Sequence, residues 1–451
     1  MKPVAIIGAG ITGLTAAFCL KRQSIAVTVY EAGTRAGGVI QSVRRDGFLA
    51  ESGPNTILET APEIGQLIRD LKLESRQLYT SPDAEARFVV RDRQPIALPS
   101  SQPGIFTSPL LSLGAKLALL REPFVPPRRD GQEESVAEFV TRRLNREFLE
   151  RLIDAMVAGI YAGDTSKLSV QHAFPRLAAL ETKYGSLIKG QIKGARERKK
   201  TGQVSRDRAP KFSFDDGLQV LTDTLAAQVE VKYNTPVTRL AKIADGWRVT
   251  TYTGEADHSA VVYCGTAFRL RELSITSDKP LDVSLFSEIR YPPVASVVLG
   301  FRREDVAHPC QGFGMLIPKV EDFKILGTIF SSALFPNRAP AGHVLLSSYI
   351  GGERQPGLTG LSADELVKIT CADLHVLLGV NGPPVFQHTA LYPRAIPQYN
   401  VGYGKFKDRL NEIESTAPGL FFAGHFRDGV SLGDSIASGY TAAGRIKDIL
   451  P

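Results

Sequence analysis

The residues best suited to chemistry stand near the start of the chain. Gly8, Gly10 and Gly13 follow one another in G-x-G-x-x-G spacing, and Glu31 lies 18 residues beyond the last of them. Such glycines let a backbone turn sharply, approach a pyrophosphate, and pack a helix closely on a sheet. The free N–H groups at the helix start then hold the phosphates, and the acid accepts hydrogen bonds from a ribose diol. This chemistry needs a strand before the glycines and a helix after them. Val4–Ile7 is a short apolar run suited to a buried parallel strand, residues 12–20 have helix-compatible apolar spacing, and residues 25–30 form a second apolar run ending on Glu31. The context predicts a βαβ dinucleotide-binding unit. The alternative is a turn in some other α/β protein.

Further candidates lie on loops. Gly53 and Pro54 punctuate a strand end, and Asn55 and Thr56 after them can donate to a ligand; otherwise the stretch is an ordinary turn. Arg87 opens a hairpin formed by residues 87–90, the turn 91–94 and residues 95–99, either as a solvated edge cation or as an anion contact. Near the other end, residues 420–423 read as a buried strand stopped by Gly424, residues 429–432 as a turn, and residues 435–450 as a helix. Ala437, Ser438, Gly439, Ala442, Ala443 and Gly444 allow that helix a close neighbour, and its start suits a second cofactor contact. None of the 7 histidines stands out as a base. Cys19, Cys264, Cys310 and Cys371 are scattered without zinc spacing, which predicts reduced packing residues and no metal site.

The elements that must position these groups fall into a pattern. With 451 residues, 43% hydrophobic and 22% charged, the composition is that of a soluble globular chain of about three domains. No apolar stretch reaches the ~18 residues of a membrane span, and the start of the chain predicts no signal peptide, so a cytoplasmic protein is expected. A net charge of +7 suits nucleic acid, anionic lipid or acidic small molecules; with no nucleic-acid motif present, the latter two lead. Residues 62–73 have helical periodicity. Residues 110–120 form a leucine-rich helical stretch beside Lys116 and Arg121. It either packs on another helix or lies in a membrane interface, with Ile105 and Phe106 inserted. Ser135 and Glu138 form a capping box for helices that continue to Gly159 and Gly163, which loosen the end. Residues 170–195 are helical in outline, and the basic stretch 194–211 reads as an exposed loop. A strand, a turn at Gly217 and a helix follow, then strands over 229–240, 247–252, 261–265 and much of 294–350, and a helix over Ala363–Leu378. The whole reads as a helical insertion between two α/β segments.

The glycine fingerprint joined to the C-terminal strand–Gly–turn–helix resembles the two-part FAD site of glutathione-reductase-like, amine-oxidase-type flavoproteins. Within that group the chain resembles the protoporphyrinogen oxidase family of haem biosynthesis, nearly end to end. The motifs that carry the resemblance are GPNT at 53–56, GIYAGDTSKLSV at 159–170, FP at 174–175, FSFDDGLQVL at 212–221, IFSSALFPNRAP at 329–340, YIGG at 349–352, RAIPQYNVGYG at 394–404 and GVSLGDSIASG at 429–439.

The resemblance implies a mixed α/β and α+β fold with three parts. A discontinuous Rossmann-like FAD-binding domain takes 1–75, 212–285 and 398–451; a mixed-sheet substrate domain takes 76–89 and 286–397; a helical membrane-binding insertion takes 90–211. It places FAD against Gly8, Ala9, Gly10, Ile11, Thr12, Gly13, Glu31, Val39, Gly53, Pro54, Asn55, Thr56, Val231, His425, Val430, Ser431 and Leu432. Arg87, Leu316, Ile329 and Tyr349 would line the substrate cavity, with Arg87 on a propionate and the two aliphatic residues sandwiching the macrocycle. A tyrosine at 349 departs from the phenylalanine common in that family. The implied reaction converts protoporphyrinogen IX to protoporphyrin IX by removing six electrons and six protons. FAD accepts two electrons at a time, so three cycles are needed, with molecular oxygen as acceptor giving hydrogen peroxide. No catalytic side chain is assigned. Coproporphyrinogen III is the nearest alternative substrate. An amine oxidase is disfavoured because His425, not an acid, follows Ala423-Gly424, and a carotenoid desaturase would have less use for Arg87. A non-catalytic flavin-binding protein is the alternative of a different class. The resemblance also implies peripheral contact with an anionic membrane surface and no nucleic acid, and leaves a homodimer open.

Overall fold

In the computed structural model, which describes residues 2–99, 102–201 and 209–450, the first apolar run becomes the centre of a five-stranded parallel sheet. Its order is Val231–Lys232, Val27–Tyr30, Val4–Ile7, Val261–Tyr263 and Leu420–Phe422. Strands buried on both faces read as continuous apolar runs, and Val4–Ile7 is fully covered. The helix Ile11–Arg22 packs on the sheet and against the C-terminal helix Leu432–Lys447. Small residues permit that approach: a Cβ on Gly439 would stand 2.7 Å from the Thr12 carbonyl oxygen. The C-terminal helix starts three residues earlier than its apolar pattern predicts, because Ser431 and Asp434 form a capping box. Leu432 is therefore the first helical residue and not part of a turn.

A seven-stranded sheet forms the second layer. Its order is Phe386–Tyr392, Val294–Arg302, His343–Gly351, Ile325–Phe330, Gly314–Leu316, Arg87–Arg91 and Gln94–Ala97. The pairings are antiparallel except between Gly314–Leu316 and Arg87–Arg91. The helix Ala363–Leu378 lies where the sequence places it, closed by a Ser362–Glu365 capping box and by Gly379 in the left-handed region, φ +62°. A four-stranded sheet carries Gly254–His258, Gly246–Thr251, Val237–Ile243 and Ser274–Thr276. Residues 233–236 thus separate two strands that the sequence reads as one.

Residues 102–201 form helices joined by loops, with no strand among them. The Ser135–Glu138 capping box forms as expected. Gly159 does not loosen a helix end: Asp154–Tyr161 runs through it, and its missing side chain makes room for Leu316, whose Cδ2 a Cβ there would meet at 2.5 Å. A π-helical turn, Leu149–Ile153, precedes this helix. Arg354 fastens it to the large sheet by donating to the Asp154 carboxylate at 2.5 Å and to the Ile317 carbonyl at 2.6 Å. Among these helices, Arg143 and Glu122 form a fully buried ion pair, and Glu122 also accepts from Leu187 N at 2.8 Å and Ile188 N at 3.1 Å. Burial would raise the Glu122 carboxyl, but these donors and Ser186 outweigh it and hold its pKa below the ordinary value.

The stretch expected as a loop over 194–211 is corrected in part. Leu187–Thr201 is one helix, since Ala195, Glu197 and the basic residues after them are strong helix formers, and Glu197 accepts from Lys183 at 2.7 Å. Residues 202–208 lie outside the described residues. The helix Gly404–Thr416 also forms, although the Pro-, Gly- and Tyr-rich residues before it mask its start.

Candidate active site

The fingerprint glycines adopt the conformations their spacing requires. Gly8 has φ +102°, and a Cβ on it would lie 3.2 Å from the Cys264 backbone. A Cβ on Gly13 would fall 2.0 Å from the Gly8 carbonyl oxygen, so only glycine allows the helix to approach the strand. Gly10 is different: nothing lies within 4 Å of its built Cβ. The helix start at Ile11 and Thr12 has no side-chain cap and no acid in its first turn. With no cap and no acid of its own, this helix start favours an anion.

Glu31 directly follows the strand Val27–Tyr30. Its carboxylate accepts from Ala9 N at 2.8 Å and Gly33 N at 2.7 Å. A carboxylate has about four lone-pair sites, so two remain for ribose hydroxyls. Val231 lies on the edge strand, paired with Val29 beside Glu31. An uncapped helix start, an open approach over Gly10 and a half-used carboxylate fit a dinucleotide.

The loop 53–56 reaches the same region from another side. A Cβ on Gly53 would stand 2.5 Å from the Val39 carbonyl oxygen, and Val39 itself is 50% exposed. Pro54 and Thr56 are partly exposed and Asn55 is buried. His425 follows the Leu420–Phe422 strand and Gly424, and the Tyr291 ring meets its ring edge-on at 5.8 Å. Burial pushes the His425 pKa down from 6.5 to about 4, so the imidazole is neutral at physiological pH. Tyr399 Oη donates to the His425 carbonyl at 2.5 Å and fixes the chain at this bend. Val430 and Ser431 lead into Leu432, whose helix start faces the fingerprint helix: Thr12 Oγ1 donates to the Ser435 carbonyl at 3.0 Å. Tyr291 also lines a surface cavity of about 150 Å³ with Phe268, Arg271 and Arg394.

The four residues expected to line a substrate cavity come together through strand register. Leu316 pairs with Gly327, and Gly327 with Tyr349. Arg87 pairs with Gly314, and Gly314 with Ile329. Directly opposed residues share a face, as do residues two apart on one strand. Arg87, Leu316, Ile329 and Tyr349 therefore stand on one face of the seven-stranded sheet. Gly314 and Gly327 between them add no side chain to that face, and Leu316 Cδ2 lies 3.5 Å from where a Gly327 Cβ would stand. Arg87 is exposed, with its guanidinium 5.8 Å from the Phe313 ring centre. Leu316 and Ile329 are partly buried. The Tyr349 hydroxyl does not point to solvent: it lies 2.5 Å from Asn55 Nδ2 and 3.3 Å from the Gly53 carbonyl oxygen, and burial raises its pKa. Its hydrogen-bond partners belong to the loop 53–56, a link that no local sequence pattern announces.

Among the described residues no cluster of His, Cys, Asp or Glu could hold a metal. Cys19, Cys264, Cys310 and Cys371 are all free, and burial raises the pKa of each. No described helix is long and apolar enough to cross a membrane. Leu113, Leu117, Leu120 and Phe124 are nonetheless 55–82% exposed. Ile105 packs on the core instead of protruding, while Phe106 is 43% exposed.

The model of the family described as "Flavin containing amine oxidoreductase" matches residues 11–447. The chain is 35% identical to protoporphyrinogen oxidase 2, chloroplastic/mitochondrial, of Arabidopsis thaliana, over 98% of this chain and 93% of that protein. It is 30% identical to coproporphyrinogen III oxidase of Bacillus subtilis, over 98% and 97% of the two chains. Among solved structures, an Exiguobacterium sp. 255-15 protein described provisionally as a protoporphyrinogen oxidase superposes with a TM-score of 0.83 at 24% identity, covering 100% of this chain and 99% of that one. At that identity the superposition speaks for the fold alone.

Proposed function

The chain belongs to the flavin containing amine oxidoreductase family and is an FAD-dependent oxidoreductase, and on that premise we propose that it oxidises a porphyrinogen to a porphyrin in haem biosynthesis. The preferred substrate in this reading is protoporphyrinogen IX. The observation that carries it is the shared face of Arg87, Leu316, Ile329 and Tyr349, whose last member is bonded to the loop 53–56. A flat face with aliphatic flanks and one cation at its rim suits a macrocycle that carries carboxylates on one side. The identity to protoporphyrinogen oxidases supports the choice. Coproporphyrinogen III, with four propionates instead of two, is the second reading, favoured by the Bacillus subtilis and Staphylococcus aureus relatives.

The bound FAD supplies acceptance of two electrons in each cycle. In this reading Gly8, Ala9, Gly10, Ile11, Thr12 and Gly13 hold its pyrophosphate, Glu31 its ribose, and Val231 the adenine end. Val39, Gly53, Pro54, Asn55, Thr56, His425, Val430, Ser431 and Leu432 would line the rest of the FAD site. Arg87 orients the substrate through a guanidinium–carboxylate pair. Leu316 and Ile329 exclude water from the macrocycle and fix its plane. His425 is a weak base here, since burial lowers its pKa to about 4, and no acid–base role is assigned to it. The gain of aromaticity drives proton loss from the pyrrole nitrogens without a dedicated side chain.

The same reading keeps the three-part division of the chain, molecular oxygen as acceptor, and a cytoplasmic protein resting on an anionic membrane through Leu113, Leu117, Leu120 and Phe124. The Lys189 ammonium 5.8 Å from the Phe124 ring centre and the neighbouring Lys116 and Arg121 suit lipid phosphates. A homodimer is compatible with it. The test is to incubate the FAD-loaded protein in air with protoporphyrinogen IX and, separately, coproporphyrinogen III, and to follow porphyrin fluorescence against a no-enzyme control. Faster oxidation of the first is expected. Preference for the second selects the other reading, and activity with neither rejects both.

A further inference from the structure

Tyr349 stands at the seam between the large sheet and the loop 53–56. Its hydroxyl oxygen lies 3.3 Å from the Gly53 carbonyl and 2.5 Å from Asn55 Nδ2, which is itself 3.2 Å from the same carbonyl. A carbonyl oxygen only accepts. The Asn55 atom facing it must therefore be the amide nitrogen, and the Tyr349 O–H must donate to it. The hydroxyl oxygen then accepts the second Asn55 N–H. Both N–H bonds of the amide are used, and the orientation of Asn55 follows from chemistry instead of assignment. Asn55 is only 8% exposed, yet no donor among the described residues reaches its Oδ1. That oxygen has no partner among the described residues and keeps some solvent access, so a ligand N–H can reach it.

We propose that Tyr349 is a positioning residue: it locks the Asn55 amide so that Oδ1 is the acceptor for an N–H of a flat bound heterocycle. The inference rests on the function proposed above, which offers two such donors, the imide N–H of the flavin ring and a pyrrole N–H of the porphyrinogen. A phenylalanine at 349 would leave one Asn55 N–H without its acceptor and free the amide to rotate.

The experiment compares the wild type with Tyr349→Phe, Asn55→Ala and the double variant. Apoprotein is titrated with FAD while flavin absorbance is recorded, and the loaded proteins are then assayed for KM and kcat with protoporphyrinogen IX. If the flavin imide is the donor, Tyr349→Phe weakens FAD binding about ten-fold, roughly the worth of one hydrogen bond to a buried group, and shifts the flavin band without changing KM. If a pyrrole is the donor, the flavin spectrum stays unchanged and KM rises by about the same factor. In either case Tyr349→Phe adds nothing in the Asn55→Ala background, because the hydroxyl acts only through that amide. Additive effects overturn the proposal, as does a Tyr349→Phe protein identical to wild type in both readouts. If Asn55→Ala does not fold, Asn55→Ser takes its place in the cycle. A wild type that binds FAD but does not oxidise porphyrinogen removes the proposed function; the flavin spectrum then decides alone, and an unchanged band overturns the inference.

Discussion

Gly439 lies against the carbonyl of Thr12, the second residue of the fingerprint helix: a Cβ at 439 would come within 2.7 Å of that oxygen and 2.8 Å of Thr15 Cβ. Both obstacles sit on a helix that is itself pressed on the sheet, so neither can yield cheaply. Gly439→Ala is expected to cost about 1–3 kcal/mol of stability, the range for overpacking, and to weaken FAD binding by displacing the helix start at Ile11. Urea unfolding with and without FAD checks it; an unchanged midpoint would mean that the two helices separate freely.

Arg87 is exposed and pairs with no carboxylate among the described residues, so its guanidinium is available to a ligand acid. Arg87→Ala is expected to weaken porphyrinogen binding by about 1–3 kcal/mol, the lower end applying where solvent screens the pair. Arg87→Lys keeps the charge but loses the planar fork, and should recover only part of the loss. Equal KM values in all three proteins would remove Arg87 from the site.

Burial of His425 has a pH signature. Its folded pKa of about 4 lies below the unfolded value of 6.5, so the unfolded chain binds the proton more readily. Its contribution is fully present above about pH 6.5 and is lost as pH falls toward 4, amounting to about 3 kcal/mol. His172, His258, His308 and His388 are lowered by burial too, so the measurement is a difference. The gap in unfolding free energy between wild type and His425→Asn should change across that window; a constant gap contradicts the assignment.

Exposed Leu113, Leu117, Leu120 and Phe124 predict binding to vesicles of mixed zwitterionic and anionic lipid. Replacing Leu120 and Phe124 by serine should abolish co-sedimentation at low salt, while wild-type binding should fall as salt screens the basic residues. Retained binding by the double variant would show that another surface is responsible.

The sequence was most informative where one residue type is physically required. Gly8 and Gly13 have no substitute in their turn and their helix–strand contact, so their spacing was readable. The helix Ala363–Leu378 carries its own start and stop in Ser362, Glu365 and Gly379. Stretches governed by distant partners were not readable in this way. The charge run after Gly194 looks like a solvated loop because nothing local reveals the ion pair from Lys183 to Glu197 that supports a helix there. Gly159 looks like a helix breaker until Leu316, from another layer, is seen to fill the space beside it. The hydrogen bonds from Tyr349 to residues 53 and 55 span nearly three hundred positions, beyond the reach of any periodic pattern.

The strand order of the parallel sheet sets a timetable for biosynthesis. Val4–Ile7 is flanked by Val27–Tyr30 on one side but by Val261–Tyr263 on the other, and the edge beyond is supplied by Leu420–Phe422. A ribosome delivers the glycine fingerprint long before its covering helix, Leu432–Lys447. The nascent chain therefore carries an unfinished sheet edge until the later strands and that helix emerge, a condition that favours chaperone attendance and delays stable capture of the cofactor.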